Sequence, residues 1–195
     1  RQEMTHGVID MIDEQIEVYV ETVEEYNNPT SKPNSSSNKK PNKQSSNKNS
    51  ANVDITETTI TYNGKEYTAL GKIKIDKIKI YEPILKENTK DSYDVAPVKL
   101  AGNNLNEKGN VVIGGHNYMK GNFFIKINKW RKNDKITITD LSGKSLDYFV
   151  YDYNVTSIED ASYLAQPNNK EDKILTLVTC TKGGKQRYYV KAKAK

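Results

Sequence analysis

The stretch TTITYNGKEYTALGKIKIDKIKI, residues 58–80, decides the fold, because polar and apolar residues alternate along most of it. Alternation with a period of two is typical of a strand that buries one face, since successive side chains of a strand point to opposite sides. Asn63-Gly64 separates two such runs and is the strongest short signal for a two-residue hairpin. The stretch therefore predicts β-strands whose lysines face solvent.

Similar runs continue to the end of the chain and are interrupted by Asn, Gly, Asp and Pro. They make roughly eight short strands with little helix, which predicts an all-β barrel or sandwich. The segment GNFFIKINKW, residues 121–130, is expected to form a short helix or turn with Phe123 and Trp130 as core anchors. The later strand-like runs are KIKIYEPIL, NVVIGGH, DKITITD, LDYFVYDYNVTSI, KILTLVTC and RYYVKAKA.

The first 52 residues differ from the rest in composition. Residues 1–26 carry eight acidic residues and an apolar stripe at spacings of three and four, which predicts an amphipathic acidic helix. We expect a stalk or a helix that rests on the core, or alternatively a helix that binds a partner. The stripe consists of Met4, Val8, Met11 or Ile12, Ile16, Tyr19, Val23 and Tyr26.

Residues 27–52 are rich in Asn, Ser and Lys and contain no aromatic or large aliphatic residue. Such a segment cannot offset its ordering entropy by burying apolar surface, so a flexible, disordered linker is predicted. The folded domain is then expected to occupy residues 53–195. It follows an N-terminal helix and this linker.

The charge distribution argues against nucleic acid as a partner. The net charge of +5 divides into −7 for residues 1–26, +5 for residues 27–52 and +7 for residues 53–195. Most lysines of the last segment alternate with apolar residues, as on the solvated face of a strand. There is no helix-turn-helix pattern, zinc-ligand set or RNP-like motif. A single cysteine excludes an internal disulfide, and no apolar run approaches the ~20 residues that span a bilayer.

Three residues are candidates for chemistry. Cys180 ends TLVTC, His116 ends VVIGGH, and Arg187 begins RYYVKAK. Each lies where an apolar strand ends or begins, and the rim of a barrel exposes side chains there on a rigid backbone. A thiol nucleophile needs such a position together with a nearby base or cation. Taken alone, a cysteine after an apolar run is more often a small buried residue.

Taken together, these motifs resemble the sortase family of cysteine transpeptidases over residues 70–195. TLVTC is similar to the T-L-x-T-C signature of the family, with Arg187 at a typical offset. VVIGGHNY resembles the strand that ends in Gly-His, and GKIKIDKIKIYEPI resembles the paired first strands. The spacing is closest to class A, but TCTKGGKQR is shorter than in many class A members, so the class stays open. The resemblance implies a closed β-barrel of about eight strands with short helices.

The resemblance also implies a function. Sortases cleave an LPXTG-like sorting signal after its threonine, hold the acyl group as a thioester, and transfer it to an amine of the cell wall or of another surface protein. It implies a nucleophilic role for Cys180, an acid–base role for His116 and oxyanion stabilisation by Arg187. It further implies action at the outer face of a Gram-positive membrane, with an anchor preceding this chain, and no cofactor.

The loop VTSIEDASYLAQPNNKEDK, residues 155–173, matches the signal-reading loop of the family in length and location. The resemblance implies apolar substrate contacts from Ala161, Tyr163 and Leu164, and substrate positioning by Thr179. Alternatively, DASYL, residues 160–164, is only a helical turn that caps the barrel.

Some class A sortases bind calcium through acidic residues in this loop and in the loop before the histidine strand. The candidates here are Glu107, Glu159, Asp160 and Glu171. Their spacing does not single out a ligand set, so no metal is predicted. The proposed chemistry needs no carboxylate as a third member, and none is evident beside His116, where Asn117 follows.

Two other functions compete with sortase-type transfer. The chain is alternatively a non-enzymatic surface β-domain on a flexible stalk, such as an adhesin or binding module. A third possibility keeps Cys180, His116 and Arg187 but ends in hydrolysis, as in a cysteine protease. The choice between water and amine depends on how the site excludes solvent.

Overall fold

The computed structural model describes residues 7–17, 55–117, 124 and 129–195. Helix α1 covers residues 7–17, and a β domain follows from residue 58. The predicted linker over residues 27–52, the remainder of the predicted N-terminal helix and Phe123 lie outside the described residues.

The described part of the β domain contains nine strands and one short α-helix. Turns of 3-10 helix at Asp76–Ile78, Ser162–Leu164 and Lys182–Gly184 connect some of them. The elements are β1 (Thr58–Tyr62), β2 (Lys65–Ile75), β3 (Ile80–Leu85), α2 (Lys90–Val95), β4 (Val98–Ala101), β5 (Gly109–Gly114), β6 (Lys135–Asp140), β7 (Ser145–Ser157), β8 (Lys173–Thr181) and β9 (Gln186–Ala194).

The strands close into a barrel. Neighbouring strands follow the order β2-β3-β4-β5-β8-β9-β7-β6, and β6 pairs back onto β2. This ring of eight strands confirms the predicted barrel, and β1 is a ninth strand that pairs only with β2. At the closure Gly71 pairs with Asp140, and a Cβ on Gly71 would lie 2.3 Å from the carbonyl oxygen of Thr139. Glycine therefore permits the backbones of β2 and β6 to approach closely.

The predicted hairpin is confirmed between β1 and β2. Asn63 and Gly64 both have positive φ, at 49° and 73°, as a two-residue type I′ turn requires. Tyr62 pairs directly with Lys65 across this turn. The alternation beyond the turn is also confirmed, because the isoleucines of GKIKI are buried and its lysines are not.

The core of the barrel consists of aliphatic side chains from every strand together with several aromatic residues, of which Trp130 and Phe124 are the largest that are fully buried. Trp130 is 1% exposed, which confirms it as a core anchor, and Phe124 is fully buried. One buried polar side chain belongs to the β6–β7 end of the barrel. The Asn106 amide donates hydrogen bonds to the carbonyl oxygens of Ile138 and Lys144. Asn106 thus satisfies backbone acceptors at the β6–β7 hairpin.

Helix α1 rests on the barrel, as the apolar stripe predicts for the described part of the helix. Val8 and Ile12 belong to the hydrophobic core, and Ile12 is fully buried whereas Met11 is 41% exposed. Of the two alternatives for this position, Ile12 rather than Met11 therefore belongs to the apolar stripe of the helix. Asp13 forms an ion pair with Lys72 of β2 on the rim of this contact.

We expect Ile12→Ala to lower the free energy of unfolding by about 2–5 kcal/mol, because it removes a fully buried side chain from the contact between helix and barrel. Met11→Ala, one position away and exposed, is the matched control and should change stability little. Urea denaturation followed by circular dichroism measures both. Equal stability of the two variants would show that α1 does not dock in solution.

Candidate active site

Strand β8 brings the candidate catalytic residues together. It pairs in parallel with β5 on one side and antiparallel with β9 on the other. The register sets Cys180 opposite Arg187, and Val178 opposite Gly114, two residues before His116. The three residues therefore meet at one end of adjacent strands. Cys180 is exposed, which contradicts the alternative that it is a buried core residue.

A cavity of about 290 Å³ opens at this end of the strands. This volume is near the lower limit for pockets that bind small molecules. All three candidate catalytic residues line it, together with two of the residues expected to bind substrate. The lining residues are Tyr93, Leu100, Gly114, Gly115, His116, Tyr163, Val178, Thr179, Cys180 and Arg187.

His116 lies in a partly enclosed environment formed by α2. Its Nε2 atom is 3.2 Å from Oδ1 of Asp94, and its ring centroid is 5.3 Å from that of Tyr93. The expectation that no carboxylate lies beside His116 is therefore wrong. It considered only chain neighbours, whereas Asp94 comes from a helix that precedes β4 and packs against the end of β5.

Tyr93 is a neutral hydrogen-bonding group of the cavity. Burial raises the pKa of Tyr93 to about 12, with smaller contributions from the negative charges that Cys180 and Tyr163 acquire on ionisation. The cation of Arg187 opposes this shift. Tyr93 therefore keeps its proton at neutral pH, and its hydroxyl remains a donor. Nothing in the sequence motif identified Tyr93, because it lies far from Cys180 along the chain.

Three hydrogen bonds fasten the His116 segment to β8. The Thr179 hydroxyl donates to the carbonyl oxygen of Gly115 at 2.7 Å, and the Gly115 N–H donates to the carbonyl oxygen of Val178 at 3.1 Å. The Asn117 amide donates to the carbonyl oxygen of Cys180 at 2.9 Å. These bonds hold the residues before and after His116 against the strand that carries Cys180. The buried Thr179 hydroxyl is therefore engaged inside the protein, and a direct substrate contact through it stays a prediction.

The guanidinium of Arg187 is anchored by the turn between β8 and β9. Its Nη1 atom donates to the carbonyl oxygens of Gly184 at 3.2 Å and Gln186 at 3.4 Å. Arginine has five N–H donors in a planar fork, and these two contacts use Nη1 alone. Arg187 is thus held in position while further donors can face the cavity that it lines.

The loop between β7 and β8 contributes one side chain to the cavity. Tyr163 lines it, and its ring centroid lies 6.0 Å from that of Tyr189. Ala161 is exposed and Leu164 partly exposed, and neither is among the described residues that line the cavity. Ser162–Leu164 forms a 3-10 turn, so the helical turn of the alternative is present, but the turn does not decide between a capping role and substrate binding. Substrate contacts by these residues stay predictions.

Asn110, which sequence reasoning missed, fastens this loop to the barrel. It is 1% exposed, and its Nδ2 atom donates to the carbonyl oxygens of Tyr163 at 3.0 Å and Ala165 at 3.1 Å. Its Oδ1 atom accepts from the Thr176 hydroxyl at 2.8 Å. The available signal was a polar residue at the start of the apolar run NVVIG, where a buried side chain must find hydrogen-bond partners.

The four acidic residues considered for calcium have separate protein partners. Glu107 accepts from the Asn104 amide at 3.1 Å, and Glu171 forms an ion pair with Lys108. Hydrogen bonds from Thr156 and from Ser157 lower the pKa values of Asp160 and Glu159, respectively. Within residues 7–17, 55–117, 124 and 129–195, no three His, Cys, Asp or Glu side chains are grouped to hold a metal ion.

Comparison with known proteins identifies the family. The model of the sortase domain matches residues 73–195, so the chain belongs to the sortase family. Sortase A of Bacillus anthracis is 28% identical over 128 residues, which cover 62% of this chain and 57% of that protein. The chain therefore spans little more than half the length of this curated relative.

Solved structures agree with the assignment. A Clostridium perfringens Sortase D5 transpeptidase is 34% identical with a TM-score of 0.58, covering 65% of this chain and 79% of that chain. Sortase A from Corynebacterium diphtheriae is 27% identical with a TM-score of 0.59, covering 65% and 60% of the respective chains. The described barrel is thus a sortase barrel.

The Thr179 hydroxyl provides a test of how the site is held together. We expect Thr179→Val to lower the free energy of unfolding by about 1–3 kcal/mol, because it removes the donor to the buried Gly115 carbonyl while preserving side-chain shape. Thr181→Val, at a partly exposed position of the same strand, is the control and should have a small effect. Thermal and urea denaturation measure the difference. Equal effects of both substitutions would contradict a structural role for the bond.

Proposed function

We propose that this chain is a cysteine transpeptidase that cleaves an LPXTG-like sorting signal and transfers the acyl product to an amine. The observation that carries the proposal is the convergence of Cys180, His116 and Arg187 on one cavity of a sortase barrel. Family membership, the exposure of the thiol and the pairing of Cys180 with Arg187 support it. The same observations argue against a non-enzymatic adhesin, which needs no exposed thiol beside a histidine and an arginine.

The first half of the proposed reaction forms a thioester. The Cys180 thiolate attacks the carbonyl carbon of the signal's threonine, and the oxyanion of the tetrahedral intermediate accepts hydrogen bonds from Arg187. The C–N bond then breaks, and the His116 imidazolium gives its proton to the departing amine. The acyl group remains on the sulfur of Cys180, and His116 is left neutral.

The second half transfers the acyl group. The incoming amine attacks the thioester carbonyl carbon, and neutral His116 accepts the proton that the amine loses. The C–S bond breaks, the new C–N bond remains, and the thiolate and imidazolium are restored. Water in place of the amine would give hydrolysis, so the choice of acceptor depends on access to the cavity.

The walls of the cavity suit the proposed signal. Leu100 and Val178 supply apolar surface, and Tyr93 and Tyr163 supply aromatic rings with hydroxyl groups. A peptide that presents leucine and proline needs mainly apolar contacts, with a few polar groups to orient its backbone. The cavity therefore suits a sorting-signal peptide. The proposed acceptor is an amine of the cell wall or of a pilin-type protein.

We place the enzyme at the outer face of a Gram-positive cell membrane, held there by an N-terminal segment. Sortases act at this surface, and the helix and linker predicted before residue 53 would connect such an anchor to the barrel. Within the described residues, no helix combines the length and apolarity needed for a membrane span.

The decisive experiment incubates the protein with a small library of LPXTG-like peptides, with and without triglycine. Mass spectrometry should detect an acyl adduct on Cys180 and, when triglycine is present, the ligated peptide. Cys180→Ala should fold normally and give neither product, because the chain holds no other cysteine. Thr181→Ala is the matched control and should retain both products. Cleavage by the Cys180→Ala variant would rule out the thioester route, and cleavage without ligation would favour hydrolysis.

The role of Arg187 is tested by a substitution that preserves its charge. Arg187→Lys should lower kcat/KM by roughly a hundred- to a thousand-fold, about 2.7–4 kcal/mol, because an ammonium cannot reproduce the directional fork of donors. Lys185→Ala, which removes an exposed cation from the same turn, should have little effect. Steady-state peptide cleavage measures all three proteins, and thermal melting checks folding. Near-normal turnover by Arg187→Lys would reduce the role of Arg187 to a simple charge effect.

A further inference from the structure

The surroundings of His116 contain a carboxylate that the proposed reaction has not yet used. We propose that Asp94 is a positioning residue that stabilises the imidazolium form of His116 and holds it ready to protonate the leaving amine. This inference rests on the proposed function for its catalytic meaning. The electrostatic coupling itself can be measured without any substrate.

The contact joins a partly exposed acid to a more enclosed base. Oδ1 of Asp94 lies 3.2 Å from Nε2 of His116, and the two side chains are 54% and 23% exposed. A carboxylate at this distance favours the protonated form of an imidazole, because opposite charges attract and the enclosed ring is only partly screened by water. The exposure of Asp94 limits the size of this effect.

The position of Asp94 is built into the fold through α2. The Thr89 hydroxyl caps the start of this helix by accepting from the Ser92 N–H at 3.2 Å, and Ser92 is itself buried. Asp91, in the first turn, forms only a surface ion pair with Lys65 of β2, and both side chains are more than half exposed, so this pair adds little to the position of the helix. The Thr89 cap and the buried Ser92 therefore fasten helix α2 at its start, and Asp94 in its last turn lies beside His116.

The neighbour of Asp94 on the helix completes the arrangement. Tyr93 contacts the His116 ring with a centroid distance of 5.3 Å and an interplanar angle of 43°. The aromatic ring limits the orientations of the imidazole, while the adjacent carboxylate favours its cation. Tyr93 thus orients the His116 ring, and Asp94 favours its charged form.

Several other charged or titratable groups share the cavity with His116. Tyr93 contacts it from α2, Tyr163 approaches from the β7–β8 loop, and Cys180 and Arg187 lie across the cavity on β8 and β9. The cation of Arg187 disfavours the imidazolium, and the thiolate of Cys180 favours it. None of the described residues that line the cavity is Asp or Glu, so Asp94 adds negative charge from outside the cavity.

The direction of the effect follows from the charges. Removing the carboxylate should disfavour the imidazolium form of His116 relative to the neutral ring, because it deletes an opposite charge 3.2 Å from Nε2. Because the proposed reaction needs the imidazolium as an acid, the alkaline limb of the kcat/KM profile should move to lower pH. For a partly exposed pair, the expected displacement is about 0.2–0.7 pH unit.

The primary test is an NMR titration of the histidine ring protons. The chain has two histidines, so His6→Gln assigns the His116 signal. In a Cys180→Ala background, which removes the coupled thiolate, Asp94→Asn should move the midpoint of the measured His116 titration curve to lower pH. Asp94→Glu should largely restore it. Asp91→Asn, an exposed acid of the same helix, is the matched control and should leave the His116 titration unchanged.

The second readout uses the intact nucleophile. In proteins that retain Cys180, kcat/KM for peptide cleavage is measured across pH for the wild type, Asp94→Asn and Asp94→Glu. At alkaline pH the Asp94→Asn variant should lose roughly two- to fivefold in kcat/KM, and the loss should shrink as the pH falls and the imidazolium forms fully in both proteins. A merely structural role would instead lower activity equally at all pH values and lower the melting temperature.

The outcomes separate this inference from the proposed function. An unchanged His116 titration in Asp94→Asn, or an equal displacement in Asp91→Asn, would overturn the role of Asp94. A lowered His116 pKa in a protein that cleaves no sorting peptide would support the coupling and reject the proposed reaction. A lowered pKa with the matching displacement of the alkaline limb supports both.

Discussion

The candidate site depends on one constraint, the two-sided pairing of strand β8. Its parallel contact with β5 and antiparallel contact with β9 set the register that brings His116 and Arg187 to the end of the strand carrying Cys180. A shift of one residue in either pairing would turn the side chains to the opposite face of the sheet. The buried Thr179 hydroxyl and the Asn117 amide add bonds at the same end, so the backbone beside the thiol has little freedom.

Closure of the barrel makes this pairing stable. In the closed ring of eight strands β8 has a paired strand on each side, and the pairing of β6 with β2 removes the two free edges that would otherwise fray or aggregate. Gly71 permits that closure, because any side chain there would collide with the Thr139 carbonyl. The strands hold the backbone of the site, while side chains on loops and on α2 complete its surroundings.

Much of the fold followed from local sequence pattern. The alternation of lysine and isoleucine after Gly71, and the turn at Asn63-Gly64, are short-range signals whose physical causes lie in one strand and one turn. The sequence also identified Cys180, His116 and Arg187, since each is rare and follows or begins an apolar run. It could not identify Tyr93 or Asp94, because their importance comes from neighbours distant in the chain. For Asn110 its only signal was a polar residue before an apolar run, and the partners of that residue are also distant in the chain.

The sequence by itself therefore determined the strand pattern, the residues capable of nucleophilic and acid–base chemistry, and the family resemblance. Only the tertiary structure decided which groups surround them. A carboxylate on α2 meets His116, and a buried asparagine fastens the loop above the cavity. The physical reason is that strand formation depends on the alternation of nearby side chains, whereas an ion pair or a buried hydrogen bond depends on a separation in space. That separation is set when the barrel closes.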